Sequence, residues 1–295
     1  MLYLYNEYFA FLPKLKKLLG KPARGPEAVF KSFTTGLTEI RQEFLVNQPF
    51  TGQMDTVCVL SGSNVLRQAI RHKQAGKIKS LIAGPNLVVE PNEANGILKS
   101  TYIDKILVPS EWVKDFYLSL APELSSKIFV WPAGVADSGE KIAKAQHIMI
   151  YNKTKNSFLA NQIRDFVNSQ GFKINFETYG KIKHKNYLEN LKNTRLMIYI
   201  SDSESQGLAL LEAWMTNVPT LVWDRGYMQY GSYKWTDNTS APYLNNENGM
   251  LFKDFEDFKK VFSQFLVQDF SPRVWMKNNA TCKISAENFL KIIND

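Results

Sequence analysis

Cysteine is scarce: only Cys58 and Cys282 occur in 295 residues. Two thiols so placed give no disulfide framework, and Cys58, inside the apolar run at 56–60, reads as a buried strand residue. A reducing, cytoplasmic setting is the expectation. Histidine is scarce as well, with three in the chain. His72, His147 and His184 are scattered, and neither they nor the cysteines show metal-ligand spacing. No Asp-x-Asp element occurs, so neither a bound metal nor another cofactor is expected. The absence of a G-x-S-x-G elbow excludes the commonest serine-hydrolase signature. No apolar run approaches the roughly 20 residues that span a bilayer, and the start lacks a signal-peptide pattern. Internal repeats and low-complexity tracts are missing as well.

What is present is apolar material for packed cores. Hydrophobic residues make up 44% and aromatics 13% of a chain long enough for two domains. The net charge of +8 is spread over both halves, with 16 basic against 13 acidic side chains in residues 1–140 and 20 against 15 in 141–295. Such a surface attracts anions without choosing among nucleotides, anionic lipid and nucleic acid. The diffuse charge and the lack of a binding motif argue against nucleic acid. Residues 12–20 set Leu12, Leu15 and Leu19 on one helical face with Lys14, Lys16 and Lys17 mostly elsewhere. That pattern fits peripheral contact with an anionic membrane, and it equally fits a solvated surface helix, the commoner origin of such a face.

Short apolar runs alternate with helical periodicity along the whole chain. Strands are expected at 2–5, 44–46, 56–60, 80–83, 103–108 and 127–131, and helices at 27–40, 64–74 and 111–120. The stretch 132–139, rich in Pro, Gly and small residues, breaks the rhythm and reads as a linker. Strands then follow at 147–151, 172–177, 196–200 and 220–223, with helices at 157–169, 186–193, 206–217, 255–267 and 273–293. Alternation of this kind implies α/β architecture: two doubly wound, Rossmann-like domains with parallel sheets, facing a cleft. The expected division is an acceptor-side domain at 1–138, a donor domain at 139–275, and a closing helix at 276–295 that returns to the first domain.

The most informative stretch runs from Tyr199 to Trp214. A strand ends near Ile200, a polar loop follows, and Ser203 with Gln206 fits a capping box for a helix starting near Gln206. Gly207 lets a ligand approach the backbone closely. Unpaired N–H groups at the helix start suit a diphosphate. Glu212 lies inside that helix, beside Leu208, Leu211 and Met215, where a carboxylate can accept from two ribose hydroxyls. Read singly, Glu212 is a solvated helix residue and Glu204 a favourable charge at a helix start. A glycosidase pair fits poorly: two glutamates eight apart on a helix are about 12 Å apart along its axis, whereas hydrolases hold their carboxyls about 5–9.5 Å apart.

Glu204, seven residues, then Glu212 and the segment 213–220 together resemble the Glu-x7-Glu element of retaining glycosyltransferases of family four. That family usually reads close to E-S-F-G-L-x-x-L-E-A-M-A-x-G-x-P-V. Gln206 stands here for the usual Phe and Asn217 for the usual Gly, and Asn shares with Gly access to left-handed backbone angles. Residues 106–113, 131–135, Tyr179-Gly180 and Ser271-Pro272-Arg273 resemble further, weaker elements of the same family.

The resemblance implies a GT-B enzyme that moves a sugar from a nucleotide-diphosphate donor to a glycan or lipid-linked acceptor, with retention of configuration. It implies that Glu204 faces the donor sugar and Glu212 the ribose. Ser205, Gln206, Gly207 and Leu208 would meet the diphosphate, with Tyr179 and Gly180 near the base. The family's Arg/Lys element is altered, and Lys153 and Lys155 are left to supply its charge. They and Glu204 are then expected to serve opposite ends of one donor. The family's glycine-rich loop is reduced to Arg24-Gly25, while Ser61-Gly62 and Asn86, after strands, are candidate acceptor or cleft loops. Two other readings remain: a non-catalytic nucleotide- or sugar-binding protein on the same fold, and a nucleotide-sugar epimerase.

Overall fold

Runs that are apolar on both faces become the inner strands of parallel sheets, because a strand covered on each side must bury every side chain. In β3 (Met54–Ser61), Val57, Cys58, Val59 and Leu60 are all fully buried. The computed structural model describes residues 1–7, 25–142, 145–155 and 157–295. The basic segment 12–20 and Arg24 lie outside the described residues.

The chain divides into two compact units, Met1–Gly134 with Cys282–Asp295, and Val135–Thr281. The first unit carries β1 (Leu2–Asn6), α1 (Gly25–Glu39), β2 (Phe44–Val46), β3, α2 (Ser63–Gln74), β4 (Ile78–Asn86), β5 (Lys105–Val108), α3 (Glu111–Leu120) and β6 (Ile128–Val130). Its six strands pair in parallel in the order β2-β1-β3-β4-β5-β6.

The second unit carries β7 (His147–Asn152), α4 (Phe158–Ser169), β8 (Ile174–Thr178), α5 (His184–Lys192), β9 (Thr194–Ile200), α6 (Leu208–Met215) and β10 (Thr220–Trp223). A hairpin of β11 (Met228–Tyr230) and β12 (Tyr233–Trp235) follows, then β13 (Gly249–Phe252), α7 (Phe255–Phe265) and α8 (Pro272–Asn279). Five strands pair in parallel in the order β13-β10-β9-β7-β8. Phe255, Phe258, Phe262 and Phe265 form the inward stripe of α7, and Asp254 caps that helix by accepting from the Asp257 N–H at 2.9 Å.

The terminal helical pattern is two helices, not one. Ala280 leaves helical angles (φ −143°, ψ 36°), ending α8, and α9 (Cys282–Asn294) belongs to the first unit. There α9 lies against α1 so closely that a Cβ on Gly36 would meet the Cys282 carbonyl oxygen at 2.0 Å. Phe33, Trp131 and Phe289 pack edge-to-face, and the Trp131 indole donates to the Ser285 carbonyl at 2.9 Å. Among the described residues no helix is long and apolar enough to cross a membrane.

Candidate functional site

In the second unit the order of the sheet sets β7 beside β9, and both carry their chemistry at their carboxyl ends. Asn152 pairs in register with Ile200, so the loops after the two strands start side by side, and the Lys153 N–H donates to the Ile200 carbonyl at 2.8 Å. That register brings Lys153 to Glu204. The ammonium lies 2.6 Å from Oε1 of Glu204, whose residue is only 8% exposed. The same oxygen accepts from the Tyr199 hydroxyl and the Ser201 hydroxyl, each at 2.7 Å. Three donors on one oxygen hold the carboxylate in a single orientation.

Tyr199 is a fixed donor in this cluster. It is fully buried, and burial together with the nearby Glu204 charge pushes its hydroxyl well above the ordinary tyrosine value. Tyr151 stacks on it with ring centroids 5.6 Å apart, and Tyr187 packs against Tyr151 at 5.1 Å. Both hydroxyls are raised, by burial first. Tyr151 then feels Tyr179, Glu212 and Glu204, and Tyr187 feels Glu212. The three tyrosines form an apolar floor to which both glutamates are close enough to couple.

The helix α6 explains why Glu212 stands out. Its sequence LALLEAWM is apolar almost all round, and Leu210, Leu211, Ala213, Trp214 and Met215 are buried. Glu212 is the one ionisable residue on that helix, with 17% of its side chain exposed, and it lies 2.6 Å from Nε2 of His184. His184 begins α5 and is half exposed, so the pair sits at the solvent boundary. Nothing in the spacing of the sequence links these two residues. The sheet order does, by setting the turn after β8 near α6.

The capping box is not formed. The helix begins at Leu208, and Gly207 is its cap with a left-handed backbone (φ 76°, ψ 50°). An L side chain is strained at that angle, and a Cβ would also meet Leu210 Cδ1 at 3.1 Å, so the chain itself requires glycine there. Asn217 adopts the left-handed angle its position calls for (φ 66°). At the other end of α6, the Arg273 guanidinium donates to the Met215 carbonyl and pairs with Asp137 at 2.6 Å. Arg273 also holds the Asp137 carboxyl below its usual range.

The structure therefore brings Lys153, Tyr179 and Glu204 together, since the Lys153 ammonium also lies 4.8 Å from the centre of the Tyr179 ring. Lys153 and Glu204 touch each other, so in this state they are not at opposite ends of a site. Lys155 and Ser205 are exposed, Gln206 is 6% exposed, and Leu208 is half-buried. Gly180 has a positive φ and is exposed.

In the first unit, Ser61 and Asn86 end neighbouring strands in register with Asn6, whose Oδ1 accepts from the Ser61 hydroxyl at 2.8 Å. Gly62 caps α2, and Gly25 begins α1. Buried Asn6 was not singled out by sequence, because a lone Asn after an apolar run carries no motif. Among the described residues no group of three His, Cys, Asp or Glu side chains is placed to hold a metal ion.

No protein-family model matches the chain, and no curated protein does. Solved structures match in fold. The GtfA/B complex aligns with 91% of this chain at a TM-score of 0.57 and 13% identity, and the match spans 60% of that chain's length. The apo form of the lipopolysaccharide outer core galactosyltransferase WaaB aligns with 95% of this chain and 81% of its own, at a TM-score of 0.53 and 15% identity. The UDP-GlcNAc 2-epimerase from Methanocaldococcus jannaschii aligns with 100% of this chain and 91% of its own, at 0.50 and 14%. At such identities the likeness is one of fold: a two-domain α/β fold with parallel sheets, shared with GT-B glycosyltransferases.

Proposed function

We propose that the second unit binds a nucleoside-diphosphate sugar and that the chain transfers the sugar to an acceptor with retention of configuration. The observation that carries this reading is the pair of engaged glutamates flanking the start of α6, Glu204 on Lys153 and Glu212 on His184, over one floor of buried tyrosines. Glu212 is half-buried and aligned, suited to accept from ribose hydroxyls once His184 yields. Lys153 is the cation nearest Glu204 and would turn to the diphosphate, where it offsets the charge that develops as the anomeric C–O bond breaks. Lys155, Ser205, Gly207 and the first N–H groups of α6 would share that role. Glu204, held by Tyr199 and Ser201 after Lys153 leaves, would keep its orientation toward the sugar hydroxyls. The acceptor oxygen then bonds to the anomeric carbon as the anomeric C–O bond to the diphosphate breaks, and the acceptor's proton passes to the departing nucleoside diphosphate.

Ser61, Gly62 and Asn86 at the strand ends of the first unit are the acceptor candidates, for a glycan or a lipid-linked glycan. The reading uses no metal, following the missing Asp-x-Asp element. The test is to incubate the protein with nucleotide sugars and candidate acceptors and resolve the products. Sugar appearing on the acceptor, with nucleoside diphosphate released and turnover unaffected by EDTA, supports the reading. Release of nothing from any donor counts against it.

The full-length likeness to a UDP-GlcNAc 2-epimerase favours a second reading, an epimerase acting on a nucleotide sugar. Product analysis separates the two, because an epimerase changes the sugar and needs no acceptor.

A further inference from the structure

The segment between β12 and β13 carries a side chain that the rest of the fold leaves unused. Asn238 is 8% exposed, and neither its Oδ1 nor its Nδ2 has a hydrogen-bond partner among the described residues. Buried amides are almost always bonded, and one with both ends unmade is a standing cost to the fold. The residues after it are tied to the loop that presents Glu204. The Glu204 N–H donates to the Thr239 carbonyl at 3.3 Å, and the fully buried Ser240 donates its hydroxyl to the Ser201 carbonyl at 2.9 Å. Asn238 is thus one residue, about 3.8 Å of backbone, from the carbonyl that anchors Glu204.

We propose that Asn238 is a specificity-determining residue that reads neighbouring hydroxyls of the transferred sugar, an inference that rests on the donor-binding reading above. An amide offers one acceptor and two donor hydrogens. A sugar hydroxyl both donates and accepts, so two adjacent hydroxyls satisfy both ends of the amide. A diphosphate only accepts, and would leave Oδ1 facing negative oxygens. Proximity to the Glu204 loop favours the sugar over the base, since Glu204 is the group read as facing the sugar. Contact requires the 236–240 segment to shift on its two bonds to the motif loop, which couples sugar recognition to the setting of Glu204. A site built to bond a hydroxyl discriminates strongly, because the wrong sugar leaves the amide unpaired.

The test is calorimetric titration of the whole chain with UDP, GDP, UDP-glucose, UDP-galactose, UDP-N-acetylglucosamine and GDP-mannose. The variants are Asn238→Ala and Asn238→Leu, each checked by thermal melting. For the nucleotide sugar that the unmodified protein binds, both variants are expected to lose about tenfold in affinity. Affinity for the matching bare diphosphate should not change. Asn238→Leu, close in volume and free of unmade bonds, should melt at or above the unmodified protein, and it carries the test if the alanine variant fails to fold. Equal loss on both ligands, no loss on either, or a marked fall in the melting temperature of Asn238→Leu overturns the proposal while leaving the donor reading standing. If the unmodified protein binds none of these probes, the donor reading fails and this inference fails with it.

Discussion

Lys153 and Glu204 lie 51 residues apart in the chain and meet as an ion pair 2.6 Å long, with 24% and 10% of their side chains exposed. The pairing follows from the parallel register of β7 and β9, which starts both loops at the same height of the sheet. Tyr199 and Ser201 bond the same glutamate oxygen, so loss of the lysine leaves a buried carboxylate held by two hydroxyls but without the Lys153 ammonium.

Lys153→Met should therefore lower stability by about 1–3 kcal/mol, the cost of leaving a buried charged group poorly satisfied. Glu204→Gln in the same background should recover part of that loss, since groups in contact are not additive. Urea denaturation of the two single variants and the double variant measures the coupling. Strict additivity contradicts the pairing.

Glu212→Ala should weaken binding of a bare nucleoside diphosphate by about 1.5–3 kcal/mol, the worth of hydrogen bonds to a charged acceptor. The fold should survive, because the removed group lies at the solvent boundary of α6. Calorimetry beside a melting curve checks both parts, and unchanged affinity in a folded variant removes Glu212 from the ribose role.

Stability should decline from about pH 10 upward. Burial raises the hydroxyls of Tyr117, Tyr151, Tyr187 and Tyr199, and raises Tyr5 to about 12. Unfolded tyrosines lose their protons near the ordinary value of about 10. Above that pH the unfolded chain binds fewer protons than the folded one, so each step upward favours unfolding. The contribution is whole below pH 10 and is lost as pH climbs toward the raised values. Denaturant midpoints at pH 9, 10 and 11 should fall in order, and Tyr151→Phe should flatten the slope.

Gly36→Ala should destabilise by about 3 kcal/mol, at the upper end for overpacking. The added methyl meets backbone, the Cys282 carbonyl, and not the end of a flexible side chain. A melting temperature equal to that of the unmodified protein would contradict the packing of α9 on α1.

The inner strands were legible because they are apolar on both faces, as at 56–60 and 196–200, and no other environment suits such runs. The hairpin at Met228–Trp235 and the strand Gly249–Phe252 were not. The hairpin sets Met228-Gln229-Tyr230 against Tyr233-Lys234-Trp235, two three-residue strands too short for periodicity to register. In β13 a glycine opens the strand, and its pairing with Thr220 depends on a distant neighbour. The capping box at Ser203 and Gln206 was a local pattern overruled by Gly207, whose left-handed turn starts the helix later. Glu204 and Glu212 were visible as a spaced pair. Their partners Tyr199, Ser201 and His184 were not, since the bonds that join them are made by strand register and by the turn after β8.

The central claim is that the second unit recognises a nucleoside diphosphate carrying a sugar. Thermal melting with UDP, GDP and their common sugar conjugates tests it most directly, because a ligand at about 100 times its dissociation constant adds about 2.7 kcal/mol to the folded state. At least one nucleoside diphosphate and its sugar conjugate should raise the melting temperature of the unmodified protein, and Glu212→Ala should diminish the shift. A melting temperature unmoved by every compound at millimolar concentration contradicts the account.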